Sequence, residues 1–515
     1  MIHSCFIDHP LIELTTLGDF LLDAARRWPD SELLVVDEHR ISYIEMAERA
    51  VAKAGALQAM GVQSGDHVGI LAPNQVEVIE MLFAISLSGA VAVLLNGRYK
   101  SAELAYVIEN SDIRWLFTSD RIPDHVSYIQ LLYAALNGLR EAQDPFALSL
   151  PSAPKLKGIV LMEPTSPSGF INSDQFQQFT KGTTPQEVWQ RRSEVSLSDP
   201  CLMMYTSGTT ALPKGCPISH EALVRTAIEV GSRLTLTQED RMWNPLPMFH
   251  MSFILPFLAI LRKGGSSISC VHFQAGPSLE MIAKEEASFL FVGFPTVMSA
   301  LLNHDEFSLE KFSKVRLINN VGAPDQLKSN MTAIPNAIHI TAYGSTEITG
   351  VASFSHPEDS DDIRAYRSGR PLSGIKVKIV NSVSLLEVAS GEHGEILVSG
   401  FSVLNGYYKS PEKNAEAFDE NGWFRTGDIG SVDTLGRIAY HGRIKDMLKV
   451  GGENVAAVEI ESFLSQHPAV ALVQVVGVPD TKLLEVAAAF VELRPNTDCS
   501  EQQLIDFCSG QIASF

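Results

Sequence analysis

The sequence has little of what marks nucleic-acid-binding, membrane-spanning or disulfide-rich proteins. Its 515 residues include 40 Lys and Arg against 60 Asp and Glu, a formal charge of −20. Nucleic acids and anionic membranes both need a cationic surface, so general binding to either is disfavoured. The longest apolar stretches, residues 81–95 and 251–261, fall short of the roughly 20 residues of a membrane-spanning helix. The six cysteines form no Cys-x-x-Cys pair, which removes the common zinc and redox motifs. We therefore predict a soluble, cytoplasmic protein with no nucleic-acid partner and no integral membrane segment.

Helix and strand signals alternate along most of the chain. Apolar runs at 67–71 and 91–95 predict buried strands, and the helix between them spans about 76–87. Ser42 and Glu45 form a capping box that predicts the start of another helix. Strands that alternate with helices predict an α/β fold with parallel sheets and crossover helices.

Three regions depart from this alternation. Residues 119–155 and 164–198 show little periodicity, and we predict loops or surface insertions there. From about residue 374, short strands and turns predict a small β-rich subdomain. After residue 446, a helix–strand–strand pattern with another helix near Glu501 predicts a small α+β unit.

The strongest chemical signal is a loop of hydroxyls, glycines and a lysine that follows an apolar strand. Its sequence is Tyr205-Thr206-Ser207-Gly208-Thr209-Thr210-Ala211-Leu212-Pro213-Lys214-Gly215. Backbone N–H groups and hydroxyls can surround phosphate oxygens, and a lysine can neutralise their charge. The pattern is not a Walker A loop, and no GxGxxG or GxSxG motif occurs. Taken alone, the loop fits either a phosphate site or a surface turn.

Five further motifs follow this loop along the chain. They are Pro247-Met248-Phe249-His250, Gly322-Ala323-Pro324, Tyr343-Gly344-Ser345-Thr346-Glu347, Thr426-Gly427-Asp428, and Gly442-Arg443-Ile444-Lys445-Asp446 followed by Lys449-Val450-Gly451-Gly452-Glu453-Asn454-Val455. In this order and spacing, the six motifs resemble those of the adenylate-forming superfamily, which includes acyl-CoA synthetases, nonribosomal adenylation domains and firefly-type luciferases. The resemblance covers almost the whole chain.

The resemblance implies a role for each nucleotide motif. The residues implied to hold the β- and γ-phosphates of ATP are Thr206, Ser207, Gly208, Thr209, Thr210 and Lys214. Thr346 is expected to contact the α-phosphate. Glu347 is expected to ligate Mg²⁺, a hard cation that prefers carboxylate oxygen. Taken without the motif, Glu347 would be interpreted as an ordinary carboxylate at the start of a helix.

The nucleoside side is implied in the same way. The residues expected to bind the nucleoside are Gly322, Ala323, Pro324, Tyr343, Gly344, Asp428 and Arg443. Tyr343 is expected to stack on adenine and Asp428 to accept hydrogen bonds from the ribose hydroxyls. Arg443 is expected to support ribose or phosphate. Without its motif, Asp428 reads as an exposed turn carboxylate.

The remaining motifs imply an acyl site and a thiol site. His250 is expected at the acyl pocket, although a lone histidine in an apolar setting is more often a packed core residue. Residues 249–253 and 292–296 are mostly apolar, which favours an apolar acyl or aryl substrate over an amino acid. Lys445 occupies the hinge position of the family. Lys449 and Gly452 lie in the loop after the hinge, where a glycine is expected to leave room for pantetheine.

The predicted function is an ATP-dependent acid–CoA ligase that forms acyl-AMP and passes the acyl group to coenzyme A. Its implied cofactors and partners are ATP, Mg²⁺, coenzyme A and a small carboxylic acid. The sequence of the C-terminal region looks most like those of carnitine/crotonobetaine and medium-chain acyl ligases. Alternatives are an adenylation enzyme that loads a carrier protein, an adenylation-impaired protein that holds acyl-adenylate or AMP, and an unrelated phosphate-loop kinase. A homodimer is common among enzymes of this size.

The resemblance also sets expected domain borders. The large N-terminal domain, with two βαβ-type sheet subdomains and the β-rich subdomain, spans residues 1–441. A hinge at 442–446 leads to a small mobile α+β C-terminal domain at 447–515. That domain is expected to be incomplete, because Phe515 precedes the family's Gly-Lys motif. We therefore expect impaired adenylation but retained thioester formation. Ala211 also replaces a usual glycine, which costs about 1 kcal/mol if the residue needs positive φ.

Overall fold

The structure is a computed structural model that describes residues 15–122, 124–181, 184–206, 212–450, 453–480, 484–495 and 497–509. By contacts between residues, the chain divides into two compact units. The first comprises Met1–Phe291, Ser345–Gly350 and Phe401–Asn414, and the second comprises Val292–Gly344, Val351–Gly400 and Ala415–Phe515. This division does not test the predicted borders at residues 441 and 446, which stay predictions.

The first unit carries the alternating helices and strands that the sequence predicts. In chain order its elements are α1 (Leu17–Arg27), β1 (Glu32–Val36), β2 (His39–Ser42), α2 (Tyr43–Ala59), β3 (His67–Leu71), α3 (Val76–Leu87), β4 (Val91–Leu94), α4 (Ser101–Asn110), β5 (Ile113–Thr118), α5 (Tyr128–Ala135), β6 (Gly158–Leu161), α6 (Ser173–Phe179), α7 (Pro185–Ser193), β7 (Pro200–Thr206), β8 (Lys214–Ser219), α8 (His220–Arg233), β9 (Arg241–Trp243), α9 (Met251–Lys263), β10 (Ser266–Ser269), α10 (Ala275–Lys284) and β11 (Phe289–Phe291). Ser42 and Glu45 form the predicted capping box at α2.

Two sets of strands organise the first unit. A six-stranded sheet has the order β6-β5-β3-β4-β7-β8 and is parallel except for the antiparallel pair β7–β8. Five other strands follow the order β11-β9-β10-β1-β2, with only the β1–β2 hairpin antiparallel. Helix α3 is buried on nearly all sides, as expected for a helix enclosed in the core of a large α/β domain. The α/β prediction is confirmed.

The second unit contains most of the short strands. In chain order its elements are α11 (Pro295–Leu302), β12 (Leu317–Asn319), α12 (Pro324–Ala333), β13 (Ile338–Ile340), β14 (Ala342–Tyr343), β15 (Ser353–Phe354), α13 (Asp361–Tyr366), β16 (Arg370–Pro371), β17 (Ile375–Val380), β18 (Gly394–Gly400), α14 (Pro411–Ala417, which begins in the first unit), β19 (Phe424–Val432), β20 (Ile438–Arg443), β21 (Met447–Val450), β22 (Glu453–Ala456), α15 (Ala457–Leu464), β23 (Val470–Asp480), β24 (Leu484–Leu493) and α16 (Glu501–Cys508). Antiparallel β17–β20 form the predicted β-rich part.

The C-terminal region has the predicted small α+β organisation. Its sheet has the order β22-β21-β24-β23, and α15 lies between β22 and β23 in the chain. Val475, Leu448 and Val455 are buried in a small core beneath this sheet. Among the described residues, no helix is long and apolar enough to cross a membrane.

The prediction of loops or surface insertions at 119–155 and 164–198 is wrong in part, because the short helices α5, α6 and α7 lie there. These helices are only 7 to 9 residues long, which is too short for an apolar period to stand out. Ser127 caps α5 through the Gln130 amide, and Asn172 forms a capping box with Gln175 on α6. Local capping therefore specifies these helices where apolar periodicity does not.

Candidate active site

The predicted phosphate loop connects two paired strands at the edge of the six-stranded sheet. Strand β7 ends at Thr206 and β8 begins at Lys214, and these two residues are partners in the strand register. Both side chains are half-buried. Ser207, Gly208, Thr209 and Thr210, with Ala211, lie outside the described residues. The structure therefore brings the two ends of the loop together at the carboxyl end of a strand, where α/β proteins commonly bind nucleotides.

Glu347 lies beside this strand pair. It belongs to a single 3-10 turn, Thr346–Ile348, and its backbone oxygen accepts the Leu404 N–H at 2.9 Å. Its Oε1 accepts hydrogen bonds from the Thr206 hydroxyl at 3.4 Å and from the Tyr407 hydroxyl at 3.1 Å. Thr346, expected at the α-phosphate, is the preceding residue in this half-buried turn.

Lys214 reaches the same place through Tyr407. Its Nζ lies 4.4 Å from the centroid of the Tyr407 ring, a cation–π distance. Thr206, Lys214, Glu347 and Tyr407 are called the Glu347 cluster below. Among the described residues, no cationic side chain lies within ion-pair distance of Glu347, so the cluster holds an anion without a paired cation.

A second cluster, in the second unit, contains the predicted nucleoside residues. The Tyr343 hydroxyl donates to Asp428 Oδ2 at 2.8 Å. Arg443 Nε lies 3.0 Å from Asp428 Oδ1, an ion pair that is not aligned as a hydrogen bond. Tyr440 stacks on Tyr343 with ring centroids 6.1 Å apart. Tyr343, Asp428, Tyr440 and Arg443 are called the Asp428 cluster below.

Strand register explains the Asp428 cluster. Asp428 in β19 is the cross-strand partner of Arg443 in β20, and opposite charges at such positions attract. Before it, Gly427 takes a φ of +70°, and the Thr426 hydroxyl accepts the Asp428 N–H at 3.1 Å. Burial and the neighbouring carboxylate raise the pKa of Tyr343 well above its ordinary value. Tyr343 therefore remains a neutral donor to Asp428.

The other predicted nucleoside residues occupy turns. Ala323 is the N-cap of α12 and Pro324 its first residue, a position that suits proline because its missing N–H is not needed there. Gly322 and Gly344 are exposed, each following a short strand. Their backbones are accessible, and their predicted contact with adenine stays a prediction.

His250 lies at the start of α9. Its Nδ1 accepts the Ser252 N–H at 3.2 Å and lies 2.7 Å from the Ser252 hydroxyl, so the ring caps the helix. The residue is exposed to solvent, yet desolvation by the surrounding protein lowers its pKa. An accessible side chain that is nevertheless surrounded by protein is typical of a concave surface. The predicted place of His250 at an acyl pocket stays a prediction.

The predicted thiol-site residues are described only in part. Lys445 is exposed in the 3-10 turn Ile444–Asp446. Lys449 belongs to β21, but its side chain lies outside what the structure describes, and Gly452 lies outside the described residues altogether. A cavity of about 610 Å³ in the second unit is lined by Arg443, Lys445 and Glu461 among others.

Comparison with protein families identifies the chain. A model of AMP-binding enzymes matches residues 21–408, and a model of the C-terminal domain of AMP-binding enzymes matches residues 459–515. The chain belongs to the AMP-binding enzyme family.

Relatives extend over almost the whole length. YngI of Bacillus subtilis, named as an acyl-CoA synthetase, is 34% identical over 505 residues, which cover 97% of this chain and 91% of the relative. The mitochondrial medium-chain acyl-CoA ligase of Homo sapiens is 30% identical over 97% of this chain and 83% of its own. The crystal structure of the anthranilate CoA ligase AuaEII with anthranoyl-AMP is 26% identical, with a TM-score of 0.82 over 98% of this chain and 92% of that one.

Sequence reasoning missed one member of the Glu347 cluster in this AMP-binding enzyme. Tyr407 is buried, with an exposed fraction of 7%, and it contacts both Lys214 and Glu347. It lies 60 residues from Glu347 along the chain, within a stretch where Asn405, Gly406 and Tyr408 suggest only a turn. A cross-chain contact of this kind leaves no local pattern.

Proposed function

We propose that this AMP-binding enzyme is an ATP-dependent acid–CoA ligase. In the first step a carboxylate oxygen attacks the α-phosphorus of ATP, and the bond to pyrophosphate breaks to give acyl-AMP. In the second step the sulfur of coenzyme A attacks the acyl carbon, and AMP leaves. The protein need not supply a covalent nucleophile, because positioning and charge neutralisation can account for catalysis.

The Glu347 cluster carries this proposal. In a chain of the AMP-binding family, it brings the end of the predicted phosphate loop within hydrogen-bond distance of the motif carboxylate. Thr206 and Lys214 offer a hydroxyl and a cation to phosphate oxygens, and Glu347 offers a carboxylate to a metal. Relatives named as acyl-CoA synthetases and ligases support the CoA-dependent second step.

Mg²⁺ fits this cluster as the companion of ATP. Magnesium is usually held by one or two carboxylates together with substrate phosphates, rather than by a full protein cage. Glu347 supplies one such carboxylate, and no described group of three or more His, Cys, Asp or Glu side chains competes for the role. When bound, the ion would neutralise charge on the phosphates.

The proposed acid is apolar, of medium chain length or aryl. Helix α9 begins directly after His250 and is apolar and mostly buried. Residues 249–253 contain no Asp, Glu, Lys or Arg that could pair with the charges of an amino-acid substrate. A medium-chain ligase and an anthranilate ligase among the similar proteins support this class. The lowered pKa of His250 favours a neutral imidazole near the substrate.

Several finer predictions belong to the same proposal. Asp428 would accept the ribose hydroxyls of ATP once the nucleotide competes with Tyr343 for its oxygens. Lys445 would act as a hinge at the border of residues 442–446, and Gly452 would line the path of pantetheine. A homodimer stays a prediction.

The test is a screen for AMP release with ATP, Mg²⁺, coenzyme A and a series of acids. We expect AMP and pyrophosphate, with an acyl-CoA product, for medium-chain or aryl acids and not for amino acids. ADP as the only nucleotide product would support a kinase and contradict the proposal. AMP release that requires a carrier protein instead of coenzyme A would support a loading enzyme.

The two half-reactions are measured separately. Acyl-AMP formation is followed as pyrophosphate exchange, and thioester formation is followed from chemically prepared acyl-AMP. Equal rates in both would contradict the impaired adenylation expected from the sequence, while leaving the ligase assignment intact.

A further inference from the structure

Tyr407 is fixed at both ends of its backbone. Its N–H donates to Asn414 Oδ1 at 2.6 Å, and its carbonyl accepts from Asn414 Nδ2 at 3.1 Å. The next residue, Tyr408, donates its N–H to the Gly215 carbonyl at 2.9 Å, which attaches the segment to strand β8. Since the side chain is also buried, Tyr407 is held in one place relative to the loop end at Lys214.

The Tyr407 hydroxyl sets the orientation of the Glu347 carboxylate. Tyr407 and Thr206 both donate to Oε1, while no described residue donates a hydrogen bond to Oε2. Two donors on one oxygen hold the carboxylate plane and leave the second oxygen open. An open oxygen beside a phosphate loop is suited to a cation that arrives with the nucleotide.

The Tyr407 ring performs a separate task. Lys214 Nζ lies 4.4 Å from its centroid, so the negative face of the ring attracts the ammonium group. The same contact keeps the ammonium group beside Tyr407 rather than paired with Glu347. One side chain therefore separates the cation from the anion of the Glu347 cluster and keeps both available for a ligand.

We propose that Tyr407 is a positioning residue that aims Glu347 at the metal of the metal–ATP complex through its hydroxyl and aims Lys214 at the phosphates through its ring. This inference rests on the proposed function, since it needs ATP as the ligand. It adds a residue outside the six sequence motifs, and it assigns different effects to the hydroxyl and to the ring.

The experiment uses the full chain and measures ATP binding by calorimetry without acid, so that no turnover occurs. Each protein is titrated once with excess Mg²⁺ and once with EDTA. For Tyr407→Phe, we expect unchanged ATP affinity in EDTA, because the ring stays. The gain in affinity from Mg²⁺ should fall roughly 3- to 10-fold, the effect of one lost hydrogen bond of ordinary strength. The Mg²⁺ concentration for half-maximal AMP release should rise by a similar factor.

Tyr408→Phe is the matched control. It removes the same hydroxyl one residue away, where the partner is Asp112 at 2.8 Å, and both binding constants should stay at the native values. Tyr407→Leu removes ring and hydroxyl together, and it should weaken ATP binding in EDTA as well, because Lys214 loses the ring face.

Two results would overturn the inference while the ligase assignment stands. One is a Tyr407→Phe protein whose response to Mg²⁺ equals that of the native chain. The other is equal weakening with and without Mg²⁺, which would indicate a general structural role. A native chain that binds no ATP in either condition would instead refute the proposed function, and the inference with it.

Discussion

Two carboxylates of this AMP-binding enzyme lie in opposite electrostatic surroundings. Asp428 is buried, with an exposed fraction of 3%, and it meets an arginine and a tyrosine hydroxyl. Glu347 is half-buried. Among the described residues, its side chain accepts hydrogen bonds only from hydroxyl groups and has no paired cation. The two charges of the Asp428 cluster are thus paired directly, whereas the two charges of the Glu347 cluster, Lys214 and Glu347, are held apart by Tyr407.

This difference separates structural from ligand-directed charge. Removing one partner of a buried ion pair leaves a desolvated charge and destabilises the fold. A half-buried carboxylate without a cation adds little to stability, and its charge is available to a metal. We therefore expect substitutions in the Glu347 cluster to affect catalysis, and substitutions in the Asp428 cluster to affect stability as well.

The largest expected effect is on catalysis at Glu347. Glu347→Gln keeps an oxygen that can accept from Tyr407 but removes the negative charge. By analogy with the loss of one preorganised electrostatic contact, acyl-AMP formation should fall by roughly 100-fold or more. The measurement is pyrophosphate release at saturating Mg²⁺. The urea unfolding midpoint is the control and should hardly change. A nearly native rate would mean that Glu347 does not face the metal.

A smaller effect is expected on stability at Asp428. Asp428→Asn removes the charge that Arg443 faces and leaves a buried amide beside the Tyr343 hydroxyl, which should cost about 1–3 kcal/mol. The measurement is the urea midpoint, compared directly with that of Glu347→Gln.

Arg443→Gln provides the matched control for Asp428→Asn. The Arg443 side chain is 44% exposed, so its loss should cost less than the loss of Asp428. Equal midpoints for Asp428→Asn and Glu347→Gln would remove the contrast between the two clusters.

The sequence contains enough to predict most of this architecture. Alternating apolar runs predict the α/β order, and the Ser42–Glu45 pair predicts the start of α2, because both signals are local. Helices α5 to α7 escape prediction because their apolar faces are too short to show a period. The meeting of Thr206 and Glu347, 141 residues apart, is predicted only through the resemblance of the six motifs.

Two other contacts of the candidate site could not be predicted. The bond from Tyr407 to Glu347 depends on how the segment Phe401–Asn414 returns to the first unit, which no local spacing encodes. The pairing of Tyr343 with Asp428, 85 residues apart, is equally invisible, since each motif predicts contact with the nucleotide instead. The tertiary fold, rather than any local pattern, therefore determines which predicted ligand residues also contact one another.

The smallest expected effect is a loss of folding stability at acid pH. It is tested with one histidine in each unit. Burial lowers the pKa of His220 to about 4, and burial together with His393 and Arg367 lowers the pKa of His441 to about 4. An unfolded histidine titrates near 6.5, so the unfolded chain binds more protons between pH 6.5 and 4. Stability is therefore fully present above pH 6.5 and is lost as the pH falls through that window.

The two histidines should contribute about equally to this loss down to pH 5, and they should differ only near pH 4, where the folded imidazoles protonate. His220 Nδ1 accepts the Leu17 N–H at 2.9 Å, and protonation converts that acceptor into a donor, so the bond must break. His441 keeps contact with the Ser431 hydroxyl in either state, because a hydroxyl can donate or accept. Between pH 7 and pH 5 both folded imidazoles stay neutral, so urea midpoints measured at these two pH values should converge by similar amounts for His220→Gln and His441→Gln. If neither substitution reduces the change in urea midpoint between pH 7 and pH 5, buried carboxylates rather than these imidazoles set the acid sensitivity of both units.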